Sequence, residues 1–483
     1  MNDNQTASII SADQLIINGG QFIQNITDRS SNHVHSTLRS KSVRVVVRTQ
    51  VTSSSLASLD ILTATVAHGA FHNSADCFDG PRCHENTRIS VLEKIMDWIM
   101  NCDLETRKQY ILWLTGAAGA GKSAIANKIV ELCIQKGLLV LTFFFKRSDG
   151  SRNNEKQLIA TLAYQLASTV PAAKPVILSA IDNDPLIFKK SLEHQFELLI
   201  AQPLRMEAIS SHYRCYVLVI DELDECLERG KQVQILNMVR KATSQFHLPI
   251  FFLIASRLEH EIKSVCNSQN MMAILWCLVL NEEYQPSRDI RKFICDVFLE
   301  IKQDHPFKDQ IPSQWPVDAQ VDKVVQKSSG QFIYAATVVR YVQSLRHLPH
   351  QRLHSAIELT PPMGELPFAE LDSLYRTILF SVGKIEKVLS VIEFCVTTSQ
   401  YARLPISSIA HIFAFDNGEL EILFCDLGSL ISLSTGYVEF LHASLPDFFL
   451  DPTRSQQYFL DSAIYKPIIL SRIIYTLRSL SGT

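Results

Sequence analysis

The stretch Gly116-Ala117-Ala118-Gly119-Ala120-Gly121-Lys122-Ser123 has the spacing of a turn that can wrap an anion. Glycines and alanines let successive backbone N–H groups converge on phosphate oxygens. Lys122 supplies a mobile full charge for the β- and γ-phosphates, and Ser123 offers a hydroxyl to Mg²⁺. Ala124 follows on a helix whose N-terminal dipole favours the same anion, so Gly116 through Ala124 are the candidate contacts. Asp221 ends the apolar run VLVI, where a Mg²⁺-ordering carboxylate belongs, so Ser123 and Asp221 are the candidate metal ligands. Glu222, Asp224 and Glu225 follow. One of these acids would polarise an attacking water, and the spacing does not choose among them; otherwise they simply open the next helix, where negative charge is favoured. Arg257 closes IFFLIASR and would either report a γ-phosphate or sit solvated at a strand end. His442, in EFLHASLPDFF, would touch a β-phosphate from another domain, neutral or protonated. Taken alone, a histidine in an apolar stretch reads as packed and hydrogen-bonded. Cys77, Cys83 and His84 lie close together, but no fourth ligand follows at zinc spacing.

These residues must be positioned by an alternation of strands and helices between 110 and 260. YILWLTG, LLVLTFFF, CYVLVIDELDEC and LPIFFLIASR read as strands; SAIANKIVELCIQK, EKQLIATLAYQLAST and KQVQILNMVRKATSQF read as helices. That order predicts a parallel sheet covered on both faces. Ahead of it, Thr87 precedes an apolar pattern at Ile89, Leu92, Ile95, Trp98 and Ile99, which predicts an amphipathic helix beginning there. Beyond about 285 the periodicity is helical: DIRKFICDVFLEIKQD, AQVDKVVQKSSGQFIYAATVVRYVQSL and ELDSLYRTILFSVGKIEKVLSVIEFCV, punctuated by prolines. From LPISSIAHIFAF onward the pattern is helix, helix and a short hairpin turning at Thr435-Gly436, the order of a winged helix. Residues 1–64 are a Ser/Thr/Asn-rich leader that reads as disordered. Within it QLIINGGQFIQNI (14–26) fits a hairpin, or a strand–arch–strand that stacks between chains.

Bulk properties narrow the class. Across 483 residues there are 46 basic and 49 acidic side chains, a net charge of −3, which gives no electrostatic reason to expect nucleic acid or an anionic membrane. Hydrophobic residues make up 47%, enough for real cores. The 11 cysteines show no pairing pattern and read as reduced thiols. No apolar run approaches the roughly 18 residues of a membrane span, and the N-terminus lacks the order of a secretory signal. A cytoplasmic location is expected.

The ordered set HGAFHNSADCFDGPRCHENTRISVLEKIMDWI, LTGAAGAGKSAIA, YVLVIDELDEC, FLIASRLEHEI, GQFIYAATVVRYV, LDSLYRTIL and VEFLHASLPDFFLD resembles the NACHT-type STAND nucleotide switches in their fungal form, with a nephrocystin-3-like P-loop segment. The resemblance covers about 65–460. It implies a P-loop nucleotide-binding domain (65–280), a helical domain (281–384), a winged-helix domain (385–460) and a helical tail (461–483). It also implies ATP or ADP with Mg²⁺, closure over ADP, opening with ATP, and assembly into a homo-oligomer at the command of a trigger and for an effector, as in non-self recognition or cell-death signalling. Slow hydrolysis at most is expected. On this family Lys122 and Ser123 fall on the phosphate and Mg²⁺ positions, Asp221 on the Mg²⁺ acid, Arg257 on the phosphate-sensing arginine and His442 on the nucleotide-holding histidine; Arg82–Arg88 fall where the family approaches the adenine. Two departures stand out: Glu222 replaces a small residue, an arrangement of AAA+ motors, and Leu258 replaces a proline. GTP remains a candidate, because base choice rests on pocket shape. The family usually continues into a repeat domain, so a chain ending soon after 460 reads as truncated or as served by a partner. The alternatives are an AAA+-like remodelling ATPase, a catalytically silent nucleotide scaffold and, more remotely, a small-molecule kinase.

Overall fold

A computed structural model describes residues 53–75, 81–100, 108–208, 215–245, 250–359, 368–398, 404–433, 436–461 and 467. The motif at 14–26 and the residues Cys77 and Thr435 lie outside them. Among the described residues no helix is long and apolar enough to cross a membrane.

A five-stranded parallel sheet organises the first half. Its strands are β1 (Ile111–Thr115), β2 (Leu139–Phe144), β3 (Tyr216–Asp221), β4 (Ile250–Ser256) and β5 (Leu275–Val279), in the spatial order β2-β3-β4-β1-β5. β1, β3 and β4 are buried at every position, as expected of central parallel strands covered on both faces. Alternate side chains feed two separate cores. Ile111, Trp113, Leu218, Ile220 and Phe252 point into one; Leu112, Leu114, Val217, Val219 and Leu253 point into the other.

The longer helices of this half are α1 (Ser53–Thr65), α2 (Ile89–Ile99), α3 (Lys122–Gln135), α4 (Leu158–Thr169), α5 (Ala173–Asn183) and α6 (Arg229–Gln245). α2 and α3 cover the second core, and α4 and α5 the first. With the glycine-rich turn set between β1 and α3, this is the core of a P-loop NTPase.

Several expectations need correction. The sheet has a fifth strand, β5, that the sequence reading left out; Leu275 and Leu278 are buried while Cys277 and Val279 are exposed, as suits a strand at the sheet edge. α1 begins within the stretch expected as leader, and its Leu62 is fully buried in the first core. Thr87 does not cap α2. Its hydroxyl donates to the His84 carbonyl, while Arg88 holds the cap position with a left-handed backbone (φ 58°). The buried stripe of α2 is Val91, Ile95, Trp98 and Ile99, and Ile89 is exposed.

The second half is helical: α7 (Pro286–Asp304), α8 (Asp318–Ser328), α9 (Phe332–Val342), α10 (Pro349–Ile357), α11 (Ala369–Phe380), α12 (Ile385–Thr398), α13 (Ile406–Phe413) and α14 (Glu419–Phe424). A two-stranded antiparallel hairpin, β6 (Ile431–Ser432) and β7 (Glu439–Phe440), leads into α15 (Ser444–Phe449). The segment 319–345 is two helices, because Ser329 (φ 45°) and Gly330 (φ 75°) break the turn between α8 and α9. The segment 370–396 likewise divides into α11 and α12. One continuous apolar core runs from Ile290 on α7 to Phe448 and Phe449 on α15. Aromatic edges tie it together, with Tyr375 against Phe448 at 5.3 Å and Phe394 against Phe413 at 5.5 Å.

Candidate nucleotide site

The turn Gly116–Gly121 leaves β1 with two left-handed glycines, Gly119 (φ 76°) and Gly121 (φ 90°), conformations in which a Cβ is strained. Lys122 opens α3 and folds back over the turn, its Nζ donating to the carbonyls of Gly116 and Ala117 at 3.0 Å each. The side chain is buried, and that burial pulls its pKa below the usual lysine range. Ser123 Oγ donates to Glu222 Oε1 at 3.1 Å.

Asp221 ends β3 and is buried, and neither carboxylate oxygen has a hydrogen-bond partner in the structure. Burial pushes its pKa up to about 7. An unpartnered buried carboxylate beside a serine hydroxyl is the donor set a hard cation takes, so these residues fit Mg²⁺. Glu222 has a left-handed backbone (φ 54°) and is also shifted well upward, first by burial and then by the neighbouring carboxylates of Glu225, Asp221 and Asp224.

The acids the sequence could not rank divide by their partners. Asp224 accepts the backbone N–H of Arg257 at 2.9 Å and pairs with its Nε at 3.2 Å. Glu225 accepts the backbone N–H of Arg147 at 2.8 Å and stands 3.7 Å from Arg257 Nη2. Both therefore hold arginines in place, whereas Glu222 faces the loop through Ser123.

Arg257 extends from the end of β4, and its Nη1 donates to Asp447 Oδ2 on α15 at 2.8 Å. Burial alone would lower its pKa, but the carboxylates of Asp447, Asp224 and Glu225 reverse this and raise it. Asp447 also meets Arg147 Nη1 at 3.3 Å.

His442 follows β7. Its Nδ1 accepts the Ser444 backbone N–H at 3.0 Å and lies 2.7 Å from the Ser444 hydroxyl, which in turn bonds the Tyr375 hydroxyl at 2.9 Å. An Nδ1 that accepts a backbone N–H leaves the ring proton on Nε2. Burial and the charges of Arg257 and Lys122 lower its pKa to about 3, so the imidazole is a neutral donor.

Most of these groups, though not Asp221, Arg147 or Asp447, line one cavity of about 280 Å³. Gly119, Gly121, Lys122, Ser123, Ala124, Glu222 and Arg257 line it from the sheet side, Arg340, Phe293 and Phe332 from the helical half, and His442 from the hairpin. Arg82–His84, Thr87 and Arg88 form a further wall. Gly116, Ala117 and Ala120 belong to the same turn but do not line the cavity. Ala117 and Gly116 receive Lys122, and the Ala120 carbonyl accepts Arg88 Nη2 at 2.8 Å. Arg88 is buried, its backbone N–H donates to Asp289 on α7 at 2.9 Å, and its guanidinium stacks 4.8 Å from the Phe332 ring. α9 also seats directly on the turn, with the Ile333 N–H donating to the Gly119 carbonyl at 3.3 Å.

Sequence reasoning missed Arg147, Arg340 and Asp447. A lone charge in an ordinary helix or loop carries no local signal, and their partners lie far along the chain. His84 pairs with Asp296 at 2.8 Å, and among the described residues no group of three or more His, Cys, Asp and Glu could hold a metal ion.

A family model described as Nephrocystin 3, N-terminal, matches residues 90–257. No curated protein matches the chain significantly. Among solved structures, the chain is similar to the ORC2 protein of Aeropyrum pernix in its ADPNP–ADP complexes, at 12% identity and a TM-score of 0.39, covering 83% of this chain and 98% of that one. A RuvB mutant of Thermotoga maritima aligns at 12% identity and a TM-score of 0.32, over 73% of this chain and 91% of its own. The Drosophila ORC bound to DNA aligns at 13% identity and a TM-score of 0.34, over 72% and 94%.

Proposed function

We propose that the chain is a nucleotide-dependent switch of the NACHT-type STAND class, with a nucleotide-binding domain at 65–280, a helical domain at 281–384, a winged-helix domain at 385–460 and a helical tail at 461–483. The observation that carries the reading is the shared cavity: side chains from the glycine-rich turn, the ends of two strands, α9 and the hairpin converge on one space. A ligand held there touches both halves of the molecule at once. A ligand that prefers one arrangement by about 5.5 kcal/mol inverts its population from 1:99 to 99:1.

In this reading the backbone of Gly116–Gly121 and Lys122 grip the phosphates of ATP or ADP, and Ser123 and Asp221 hold Mg²⁺. Bound Mg²⁺ neutralises phosphate charge and orders the terminal phosphate. Arg257 reports that phosphate. His442, neutral and with its proton on Nε2, donates from the hairpin side and keeps the halves together over the diphosphate. Glu222, facing Ser123, is the acid placed to polarise a water, which gives slow hydrolysis. Opening then exposes surfaces for self-assembly within the cell, in answer to a trigger and for an effector.

The same Glu222 contact favours one second reading, a remodelling ATPase with fast turnover. Nucleotide content and molecular mass of the purified chain, before and after ATP with Mg²⁺, separate the two. The switch predicts bound ADP, slow exchange and a mass that rises with ATP, all lost in Lys122→Ala. Fast steady-state turnover at constant mass rejects the switch, and absence of nucleotide from wild type and variant alike rejects both.

A further inference from the structure

Every nitrogen of the Arg257 guanidinium already faces a carboxylate. Nε meets Asp224 at 3.2 Å, Nη2 meets Glu225 at 3.7 Å and Nη1 meets Asp447 at 2.8 Å. All three nitrogens are thus engaged, and a terminal phosphate that reaches Arg257 competes with these carboxylates for it. Asp224 and Glu225 are tied to their own half by backbone donors, the N–H of Arg257 on Asp224 and the N–H of Arg147 on Glu225. Asp447 belongs to α15, in the other half, and the arginines it meets, Arg257 and Arg147, reach it through side chains alone.

Charge points the same way. Lys122 and Arg340 line the same cavity as Arg257, and Asp447 is the carboxylate beside Arg257 that belongs to the other half, so its departure removes one negative charge from the arginine. A terminal phosphate brought there meets less repulsion once Asp447 leaves than while it stays. A diphosphate, lacking the group that reaches Arg257, meets none of this.

We infer that Asp447 sets the discrimination between nucleoside diphosphate and triphosphate: it occupies Arg257 as an internal anion, and the arginine exchanges it for the γ-phosphate as α15 is released. The inference rests on the proposed nucleotide reading and names the residue that biases its resting state. The geometry also gives the exchange a direction. Lys146 faces Glu439 of β7 at 4.0 Å, so the cations of this contact come from the ends of β2 and β4 and the acids from the hairpin and α15. An added anion on the sheet side competes with all of them.

The test is the ratio of dissociation constants for ADP and ATPγS, each with Mg²⁺, by calorimetry on the full chain. Asp447→Asn keeps the shape of the side chain and removes its charge; the ratio is expected to move about tenfold toward ATPγS, within the usual range of coupling between sites. Asp447→Ser serves as the second variant should the asparagine form not fold. In an Arg257→Ala background the same change at Asp447 is expected to leave the ratio alone, which a merely structural role for Asp447 would not produce. If both nucleotides bind with Lys122-dependent affinity and the ratio is unmoved by Asp447→Asn or Asp447→Ser, the inference is overturned while the nucleotide reading stands. If wild type binds neither nucleotide, both fall.

Discussion

Gly119 and Gly121 make a matched pair of perturbations. Both have left-handed backbones, so alanine at either costs about 1–2 kcal/mol of conformational strain. Their surroundings differ. A Cβ on Gly121 meets nothing within 4 Å, whereas one on Gly119 would lie 2.1 Å from Ile333 Cγ2 and 2.6 Å from Ile333 Cβ. The Cβ of Ile333 is fixed to the backbone, so no rotamer change relieves the second contact; α9 itself must shift. Overpacking of this kind adds about 1–3 kcal/mol. Gly121→Ala should therefore lower stability by the strain alone. Gly119→Ala should lower it further and loosen α9 specifically, with amide exchange in 332–342 faster by roughly five- to a hundredfold. Hydrogen exchange read by mass spectrometry on both variants, beside their urea midpoints, checks this. Equal protection of α9 in the two variants would refute the reasoning that the helical half rests on the phosphate turn through Ile333.

Three further outcomes are expected. Asp221 is pushed up to about 7 in the fold from an ordinary value of 3.8, so between those values the native state keeps a proton the unfolded chain has lost. Stability without metal should then fall as pH rises through that window, by about 1.4 kcal/mol per unit, and Mg²⁺ should restore it; a magnesium-induced rise in melting temperature no larger at neutral pH than near pH 5 would count against Asp221 as ligand. Glu222→Gln should keep nucleotide bound while cutting hydrolysis by about 10²–10⁴-fold, and unchanged turnover in a phosphate-release assay would return the role of base to another group. Asp372, buried on α11, receives Arg454 through Nη2 at 2.8 Å and Nε at 3.1 Å; Asp372→Asn should destabilise the helical half by about 3–5 kcal/mol in denaturant unfolding, and a near-neutral effect would show that Arg454 finds another partner.

The phosphate turn was legible because its chemistry is contiguous: eight successive residues bring both the grip and the metal hydroxyl, and the flanking strand and helix announce themselves by period. The acids after β3 were legible as a group but not individually. Ranking Glu222, Asp224 and Glu225 required knowing that Arg257 and Arg147 engage two of them, and those partners stand 33 and 78 positions away. β5 escaped because five residues of an edge strand are too few to separate from a helix by period. The cap of α2 escaped for another reason: Arg88 takes a left-handed backbone that an arginine does not advertise, stabilised by Asp289, 201 positions on. Asp447 looked like one more acid in SLPDFF, and only the fold puts it 2.8 Å from a strand-end arginine.

Magnitudes say what the ionic contact between the halves can and cannot do. Lys146–Glu439, Arg147–Asp447 and Arg257–Asp447 are partly exposed pairs, each worth about 0–1 kcal/mol. Their sum falls short of the roughly 5.5 kcal/mol that fixes one arrangement over another. The seat of Ile333 on Gly119 adds to it but stays in place only while α9 does. The contacts of Arg88 with Asp289 and Phe332 and of His84 with Asp296 add to it as well, and under the proposed reading a ligand bridging Lys122 and His442 would supply the rest. An apolar seam of the same area would hold the halves together whatever the cavity contained, and a phosphate would have nothing to compete with. Charges of opposite sign, placed on opposite halves and partly open to water, can be displaced by another charge.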